Sequence, residues 1–410
     1  MDTVGPAHPT FLGESIMAKK TVADINPKGK RVLMRVDFNV PIADGKVGDD
    51  KRIAAALPTI KNIIDRGGRL ILMSHLGRPK GGPSPEFSLK PTADRLGELL
   101  GKPVKFAEDC VGPKAKAAVD ALKDGDVLVL ENVRFHKEEE ADNERFSREL
   151  AAFGNLYVND AFGTAHRCHA STHGAAKFIN GPKVIGFLVE KELKYLEDAL
   201  EKPVRPFIAV LGGAKVGDKI EVIKNLLGKV DKLLIGGAMA YTFFKAQGKS
   251  IGQSLVENDK VDLAKDLTKI GGSKLVLPVD TVCGKEFKEG TETKIVEGAI
   301  PDGWQGLDIG PKTVDQFKGI IKSAKTVVWN GPVGAFEIKP FDTGTNAMAQ
   351  AIADATGKGA TSVIGGGDSA SAIKKAGLSK KMTHVSTGGG ASLEFMEGKG
   401  FATLDLLDNK

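Results

Sequence analysis

The chain has few cysteines, few tyrosines and tryptophans and no long apolar run, and each shortage argues against a class of protein. Its three cysteines, Cys110, Cys168 and Cys283, are far apart and outside any CxxC spacing. This argues against a disulfide framework or a zinc site and fits a reducing compartment. No run of about eighteen apolar residues occurs, so no membrane span is expected. With three tyrosines, two tryptophans and a dispersed net charge of +6, binding of nucleic acid is not expected either.

Glycine is the residue that the chain has in excess. The 410 residues include 50 glycines, many of them clustered in short turns rather than in a low-complexity tract. A hydrophobic content of 41% and a charged content of 27% are ordinary for a soluble globular protein. The length predicts about two to three domains, and the modest positive charge suits small anionic substrates.

Residues 1–16 differ from the rest of the chain. They contain no lysine or arginine and no long apolar core, so they resemble neither a secretory signal nor an arginine-rich transit peptide. Met17 opens the stretch MAKKTV, which is typical of a natural start. We therefore expect residues 1–16 to be a disordered extension, with an upstream start as the alternative, and the protein to be cytoplasmic.

Short β-branched runs alternate with amphipathic stretches along the chain. Continuous apolar strands separated by helices of this length indicate parallel sheets with both faces covered. The predicted fold class is α/β, with two Rossmann-like parallel-sheet domains joined by a hinge helix. The predicted strands are 31–37, 69–74, 104–107, 126–131, 155–159, 206–211, 231–236, 274–279, 325–329, 360–364 and 382–386. The predicted helices include 50–64, 90–100, 144–153, 217–227, 258–270, 344–355 and 368–376.

The boundary between the two domains is predicted at residues 188–205. The stretch LVEKELKYLEDALEK has the apolar stripe of a helix, and two prolines follow it before a new strand begins at Phe207. Such a helix makes a stiff linker about which two domains can rotate, although a peripheral helix of one large domain is the alternative. The remaining parts are an N-terminal domain over 17–187, a C-terminal domain over 206–398 and an apolar tail over 399–410.

The turns that follow the strands differ chemically between the two halves of the chain. Ligands of open parallel α/β sheets bind beyond the carboxyl ends of the strands, so function is expected in these turns. In the first half the turns carry arginine and histidine, in RVDFNVP (35–41), MSHLGRP (73–79), LENVRFH (130–136) and VNDAFGTAHR (158–167). In the second half they carry glycine clusters, in VLGGAKVGDK (210–219), LIGGAMA (234–240), VWNGPVG (328–334), VIGGGDS (363–369) and VSTGGGA (385–391). We call each set of turns a rim. Two chemically different rims predict two different ligands, one for each half of the chain.

The basic turns of the first half indicate an anion site. A single arginine is most often a surface residue, but several converging on one rim form a guanidinium cluster suited to phosphate and carboxylate. The residues of this cluster are Arg35, Arg52, Arg78, Arg134 and Arg167, with His75 and His166. Asp37 and Asn39 could accept hydrogen bonds from substrate hydroxyls, although Asp37 could equally be a satisfied turn carboxylate. The acidic run at 138–140 is interpreted as a solvated face.

The glycine turns of the second half indicate a phosphate site. The triple glycine at 365–367 lies between a strand and a helix, where bare backbone can approach a phosphate and the helix offers unpaired N–H groups. Asp368 could hold Mg²⁺ or cap the helix. Lys215 and Lys219, four residues apart, are predicted to share a helical face that points at a polyphosphate, with a solvated face as the alternative. Spacing alone does not decide whether Glu337 binds ribose hydroxyls.

The residues by themselves predict phosphoryl transfer between a nucleotide on the second domain and a small phosphorylated metabolite on the first. The two rims would then close on each other and exclude water. Gly365, Gly367 and Ala370 also satisfy the G-x-G-x-x-A dinucleotide pattern, so an NAD-dependent dehydrogenase is the alternative enzyme, although it leaves the arginine rim unexplained. A two-lobed anion-binding protein is the alternative without catalysis.

The joint occurrence of several motifs resembles the phosphoglycerate kinase family. In order from about Lys20 to Gly398, they are RVDFNVP, SHLGRP, ENVRFH, NDAFGTAHR, LGGAKVGDK, VWNGPVGAFE, GGGDS and HVSTGGGASLE. The resemblance implies reversible phosphoryl transfer from 1,3-bisphosphoglycerate to ADP, giving 3-phosphoglycerate and ATP, with Mg²⁺ and hinge-bending closure. It also implies a monomer with no nucleic-acid or membrane partner, whose tail packs back on the N-terminal domain.

The same resemblance assigns ligand-binding residues to each rim. The glycerate substrate would be bound by Asp37, Phe38, Asn39, Arg52, His75, Leu76, Gly77, Arg78, Arg134 and Arg167. The nucleotide would be bound by Gly212, Gly213, Lys215, Lys219, Gly236, Gly237, Asn330, Pro332, Glu337, Gly365, Gly366, Gly367, Asp368 and Ser369, with Asp368 as the Mg²⁺ ligand. The expected catalytic residues are Arg52, Lys215, Gly389 and Gly390.

Overall fold

A computed structural model describes residues 19–79 and 82–410 of the chain. The extension expected at residues 1–16 lies outside the described residues. The contacts divide the chain into two compact units. Among the described residues, unit 1 consists of those up to Lys194 together with Gly400–Lys410, and unit 2 is Tyr195–Lys399. No helix among the described residues is both long and apolar enough to cross a membrane.

Unit 1 is built on a six-stranded parallel sheet. The strands of this unit are β1 (Arg31–Val36), β2 (Ile42–Ala43), β3 (Lys46–Val47), β4 (Arg69–Met73), β5 (Lys105–Ala107), β6 (Val127–Leu130), β7 (Leu156–Asp160) and β8 (Lys183–Ile185). The sheet has the order β5-β6-β4-β1-β7-β8, and β2 pairs with β3 in a separate hairpin. The helices are α1 (Lys51–Ile64), α2 (Lys90–Leu100), α3 (Gly112–Asp120), α4 (Glu144–Ala151) and α5 (Ala175–Phe178).

The boundary between the units falls within a single helix, α6 (Phe187–Glu201). In unit 1 the core forms where α1 and α2 cover the sheet, and Ile53, Ile60 and Leu96 are fully buried against its strands. Burial on both faces explains why these strands are continuous apolar runs.

Unit 2 contains a second six-stranded parallel sheet and a smaller antiparallel one. Its strands are β9 (Phe207–Leu211), β10 (Lys232–Ile235), β11 (Leu275–Val276), β12 (Asp280–Gly284), β13 (Thr293–Glu297), β14 (Gln305–Ile309), β15 (Thr326–Asn330), β16 (Thr361–Gly365) and β17 (His384–Val385). The parallel sheet has the order β11-β10-β9-β15-β16-β17, and the antiparallel sheet has the order β13-β12-β14. The helices are α7 (Ile220–Leu227), α8 (Met239–Ala246), α9 (Val261–Gly271), α10 (Pro311–Ile321), α11 (Thr343–Gly357), α12 (Gly367–Lys375) and α13 (Gly390–Met396).

The predicted fold class, α/β with two parallel sheets, is confirmed. Counting only the strands of the parallel sheet in chain order, unit 2 has the order 3-2-1-4-5-6 of the dinucleotide-binding fold. In unit 1, β6 is inserted between β5 and β4, so the order differs on that side. The antiparallel sheet was not predicted, because a strand such as β13 is mostly exposed and lacks the continuous apolar run of a parallel strand.

The last segment of the described chain, which contains helix α14 (Ala402–Asp405), packs within unit 1. Phe401, Leu404 and Leu407 are 3%, 2% and 3% exposed. The backbone N–H of Lys20 donates to the carbonyl oxygen of Asp408 at 2.8 Å, and the N–H of Asp408 donates to the carbonyl oxygen of Lys183 at 2.8 Å. The segment therefore contributes both core side chains and backbone hydrogen bonds to unit 1.

We predict that Leu404→Ala lowers the free energy of unfolding of unit 1 by about 2–5 kcal/mol, because it leaves a cavity at a buried site. Urea unfolding followed by circular dichroism measures this change. Tryptophan fluorescence reports on unit 2 in the same samples, since Trp304 and Trp329 both lie there.

Leu255→Ala is the matched control, because Leu255 is 57% exposed. The same atoms are removed from a site that contributes little to stability, so the free energy of unfolding is expected to change by no more than about 0.5 kcal/mol. Equal effects of the two substitutions would contradict a core role for the C-terminal segment.

Candidate functional site

In each unit the candidate residues gather where the order of the parallel strands reverses. In unit 1 this point lies between β1 and β7, and in unit 2 it lies between β9 and β15. The carboxyl ends of parallel strands leave a crevice at such a point, and α/β sheets bind ligands there. Each unit therefore has its own candidate site.

Polar side chains tie together three turns at the site of unit 1. Arg52, in the first turn of α1, donates to Asp37 Oδ2 at 2.7 Å. Asn39 Oδ1 accepts the N–H of Gly77 at 2.9 Å, and Arg134 Nη1 donates to the carbonyl oxygen of Gly77 at 2.9 Å. The turns after β1, β4 and β6 are thereby held against one another.

We expected Arg35 in a strand-end turn, and this is wrong. Arg35 lies inside β1, where it is 1% exposed. Its Nε donates to Ser171 Oγ at 2.7 Å and its Nη2 donates to His75 Nδ1 at 3.1 Å. Ser171 donates to Glu139 from its backbone N–H at 2.8 Å and from its hydroxyl at 2.6 Å. A buried charge needs such partners, so Arg35 supports the site from within the sheet and is not part of an open rim.

The interpretation of residues 138–140 as a solvated face is wrong for Glu139, which is fully buried. Burial raises the pKa of Glu139, while the positive charge of Arg35 and hydrogen bonds from Ser171 act in the opposite direction. Of its neighbours, Glu140 is exposed and lies 3.1 Å from Arg134 Nε. A run of three glutamates gives no sequence signal for the one that turns inward, so Glu139 was missed.

His75 reports the electrostatic character of this crevice. Burial, and then the positive charges of Arg35, Arg134, Arg52 and Arg167, hold the pKa of His75 well below its usual value. The imidazole is therefore neutral at physiological pH. Several guanidinium charges acting on one buried ring make a region where a polyanion is stabilised.

The other residues predicted at this site are placed differently. Phe38 and Leu76 are 0% and 4% exposed, so their side chains belong to the core and only their backbone can face a ligand. Arg78 is exposed. Arg167 is half-buried and its Nε donates to His166 Nε2 at 3.1 Å; burial lowers the pKa of His166 to about 4.

A cavity of about 410 Å³ lies at the point in unit 2 where the strand order reverses, between β9 and β15. Its walls are largely glycine backbone and polar or charged side chains, with two apolar residues. From the predicted nucleotide and catalytic residues it brings together Gly213, Lys215, Lys219, Asn330, Gly366, Gly367, Asp368, Ser369, Gly389 and Gly390. It adds Ala214, Asp218, Gly331 and Leu393, which the sequence did not single out.

The remaining residues predicted to bind nucleotide do not line this cavity: they are Gly212, Gly236, Gly237, Pro332, Glu337 and Gly365. The structure gives a packing reason for each of these glycines, and Gly212 and Gly236 are examples. A Cβ atom on Gly212 would lie 1.9 Å from the carbonyl oxygen of Pro332, and one on Gly236 would lie 2.6 Å from Val333 Cβ. These glycines let the turns after β9, β10 and β15 pack closely, whereas Glu337 is exposed in the turn after β15.

The prediction that Lys215 and Lys219 share a helical face is wrong, because α7 begins only at Ile220. Lys215 is exposed in irregular chain, and Lys219 ends a short 3-10 turn. The carboxylate of Glu257 accepts the backbone N–H groups of Val216 and Gly217 at 2.5 and 2.9 Å. This contact holds the segment in a non-helical turn, but both lysines still line the cavity.

Lys219 joins the turns after β9 and β15. Its Nζ donates to the carbonyl oxygen of Gly212 at 2.7 Å and to Asn330 Oδ1 at 2.6 Å. Burial lowers the pKa of Lys219 to about 8, although the negative charges of Asp368 and Asp218 oppose the shift. An anion in the cavity would favour the charged ammonium, since it adds opposite charge beside a desolvated cation.

The start of α12 forms another wall of the cavity. Its N-cap is Gly366, with a φ of +88°, a backbone conformation that favours glycine. Ser369 Oγ accepts the N–H of Gly331 at 2.6 Å and so fixes the turn after β15 against the helix. Asp368 is therefore not the cap that the sequence left open as an alternative; it lies in the first turn of the helix, exposed at the cavity.

Comparisons with known proteins give one family for the whole described fold. The family model for phosphoglycerate kinase matches residues 22–399. The phosphoglycerate kinase of Chloroherpeton thalassium is 58% identical over 397 residues, which cover 96% of this chain and 100% of the relative. That of Thermosipho africanus is 56% identical over 399 residues, which cover 96% of this chain and 99% of the relative.

Solved structures agree with this match. The phosphoglycerate kinase of Coxiella burnetii has a TM-score of 0.86 at 40% identity, covering 95% of this chain and 98% of that one. The phosphoglycerate kinase of Pyrococcus horikoshii has a TM-score of 0.80 at 34% identity, covering 94% and 97%. The dehydrogenase alternative has no support among these matches.

We predict that inorganic tripolyphosphate binds this protein roughly tenfold more weakly at about pH 9.5 than at about pH 7, since one charge-assisted contact is lost. Lys219 is charged below its pKa of about 8 and neutral above it, so the attraction falls as the pH rises. Isothermal titration calorimetry at several pH values measures the change.

Lys219→Gln should bind tripolyphosphate more weakly at neutral pH and show little further loss as the pH rises. The control is Lys224→Gln, because Lys224 is paired with Glu221 on the surface of α7 and does not line the cavity. If the pH dependence survives in Lys219→Gln, another group is responsible.

Proposed function

The chain belongs to the phosphoglycerate kinase family, and we propose that unit 1 binds the glycerate substrate while the cavity of unit 2 binds the nucleotide. The protein is a phosphotransferase that moves a phosphoryl group reversibly between 1,3-bisphosphoglycerate and ADP, giving 3-phosphoglycerate and ATP.

The observation that carries the proposal for unit 1 is the concentration of positive charge around His75. Arg35, Arg52, Arg134 and Arg167 all act on this one ring. The glycerate ligand has a phosphate at one end and a carboxylate or acyl phosphate at the other, so it brings negative charge to this cluster of arginines. Arginine binds both groups in a bidentate manner. Asp37 and Asn39 would add acceptors for the hydroxyl of the glycerate.

Backbone and cations together support a polyphosphate in unit 2. Bare glycine backbone at Gly213, Gly366 and Gly367 leaves room for phosphate oxygens to approach N–H groups. Lys215 and Lys219 supply positive charge from the same wall. The nucleoside would then extend towards the turns that carry Gly236, Gly237, Pro332 and Glu337, as the family resemblance implies.

The residues of this cavity also fit a Mg²⁺ ion that arrives with the nucleotide. Mg²⁺ binds proteins through one or two carboxylates and completes its shell with phosphate oxygens and water. Asp368 is an exposed carboxylate at the cavity, and Ser369 follows it in the same helical turn. When bound, the ion would neutralise phosphate charge; Asp368 would hold it.

Phosphoryl transfer requires the protein to position the two substrates and to neutralise charge, and it requires no covalent intermediate with the protein. The bond between phosphorus and the acyl oxygen of 1,3-bisphosphoglycerate breaks, and a terminal oxygen of ADP forms the new bond to phosphorus. Arg52 and Lys215 would stabilise the charge on the phosphoryl group during transfer, together with backbone N–H groups at Gly389 and Gly390. Hinge bending through α6 would bring the two ligands together. The protein would act as a monomer in the cytoplasm.

The proposal for unit 1 is tested by Arg52→Ala in a coupled assay of 3-phosphoglycerate-dependent ATP consumption. We expect kcat to fall by roughly 10³-fold or more, as for other arginines that stabilise a transferring phosphoryl group. The affinity for nucleotide should change little, because Arg52 is proposed to bind the glycerate substrate.

Arg52→Lys should recover part of the activity, since it restores the charge but not the planar guanidinium. Arg145→Ala is the control, because the Arg145 side chain is 90% exposed and pairs with Glu149 on α4. An equal loss of ADP affinity in Arg52→Ala would show that this arginine serves the nucleotide instead. Wild-type protein without turnover on Mg-ATP would refute the kinase assignment itself.

Asp368→Asn is predicted to raise the Mg²⁺ concentration needed for half-maximal activity by at least about tenfold, because a neutral amide is a weaker ligand for a hard cation. Calorimetry of ATP binding with and without Mg²⁺ should show the same loss independently of turnover. Asp354→Asn, on the exposed face of α11, is the control. An unchanged Mg²⁺ dependence in Asp368→Asn would contradict this role.

A further inference from the structure

A second group of chemically reactive side chains lies at the carboxyl edge of the sheet of unit 1. Asp109 and Cys110 follow β5, and His136 follows β6 after a short 3-10 turn. Because β5 and β6 are paired parallel neighbours, their carboxyl ends meet at one edge. The pairing therefore brings together residues that are 26 or more positions apart in the sequence.

The ligand atoms of these three side chains are close enough to share one ion. One carboxylate oxygen, the Cys110 Sγ and one imidazole nitrogen all lie within 4.8 Å of one another. His136 Nε2 is already 2.7 Å from Asp109 Oδ1. Around a tetrahedral zinc ion such ligand atoms lie about 3.3–3.6 Å apart. The three side chains would therefore have to move by about 1 Å to bind one ion.

We propose that Asp109, Cys110 and His136 form a binding site for a zinc ion, distinct from the site of the Mg-nucleotide. The three protein ligands would supply oxygen, sulfur and nitrogen, and water would take the fourth position. The proposal is independent of the proposed function, because none of these residues was assigned to glycerate or nucleotide.

The donor set determines the class of ion. Thiolate and imidazole are ligands of zinc and similar transition metals, whereas Mg²⁺ and Ca²⁺ take oxygen ligands. When the Cys110 sulfur binds the ion, its proton leaves to solvent. A thiolate, a carboxylate and a divalent cation then sum to zero net charge, which lowers the cost of a partly buried site.

Burial and access also fit an ion that enters from solvent. Cys110 is fully buried, which gives the site a fixed inner ligand. The side chains of His136 and Asp109 are 30% and 43% exposed, so they can rotate onto an ion from the outer side. The His136 ring packs on Phe146, with centroids 5.1 Å apart, which keeps the imidazole beside the other two ligands.

No other group of three or more such ligands meets this distance within the described part of the chain. The sequence argued against zinc because the three cysteines show no CxxC spacing. That spacing describes sites whose ligands are close along the chain, whereas here the ligands meet through the pairing of two strands. The mixed triad is therefore invisible to a search for local motifs.

The test uses the full chain without an affinity tag, freed of metal by chelation and kept reduced, with excess Mg²⁺ and no nucleotide. Cobalt(II) is the first probe, because coordination to a thiolate gives a charge-transfer absorption band that oxygen and nitrogen ligands do not give. We expect this band to saturate at one ion per chain and to disappear when zinc displaces cobalt. Calorimetry with zinc should give one site of matching stoichiometry, and zinc should raise Tm.

Cys110→Ala should abolish the cobalt band and the zinc-dependent rise in Tm. His136→Gln should weaken zinc binding by at least roughly tenfold, and it keeps the test decisive if Cys110→Ala fails to fold. Cys168→Ser and Cys283→Ala are the matched controls, because each removes a thiol outside the triad and should leave the band unchanged.

Three results would overturn the proposal. One is the absence of a thiolate band in the wild-type protein. Another is equal zinc affinity in the wild-type protein and both triad variants. The third is loss of the band in Cys168→Ser with retention in Cys110→Ala, which would assign the metal to the exposed thiol.

Discussion

An open parallel sheet whose right-handed crossovers cover both of its faces has to reverse its strand order at one point, and the function of both units depends on that constraint. At the reversal, the chains leaving two neighbouring strands turn away to opposite faces, so the carboxyl ends of the strands are left uncovered. In unit 1 this happens between β1 and β7, and in unit 2 between β9 and β15. Polar groups can lie at these two places without interrupting the apolar layers of the core. The chemistry of each unit follows from what its turns bring to the opening.

The two openings satisfy their buried polar groups in different ways. In unit 1 the support comes from side chains: Arg35 lies within the sheet, and Ser171 links it to the buried Glu139. In unit 2 the support comes from the backbone. Glycine-rich turns pack against each other, and Lys219 donates to the carbonyl oxygens of Gly212 and Asn330. A side-chain network can hold several guanidinium groups in fixed positions, and an open backbone can follow the outline of a phosphate chain. One fold class thus provides two unlike anion sites.

The sequence predicted those parts of the structure that depend on local pattern. Continuous apolar runs identified the parallel strands, because burial on both faces requires them, and the turns after them did contain most of the candidate residues. Properties that depend on the rest of the fold were not predictable. Neither the inward position of Glu139 nor the burial of Arg35 has a local signal, since both are fixed by partners more than thirty residues away. Lys219 was misplaced because a contact from Glu257 overrides the helical pattern.

The division of the chain also orders its synthesis. Unit 2 is a continuous stretch, Tyr195–Lys399, whereas unit 1 needs Gly400–Lys410 in addition to the part up to Lys194. A ribosome therefore joins every residue of unit 2 to the chain before it has made the segment whose Asp408 bonds to Lys20 and Lys183. The unit that is translated first is the one that is completed last. Until then the part of the unit 1 core that Phe401, Leu404 and Leu407 cover is exposed, and exposed apolar surface favours aggregation of the nascent chain.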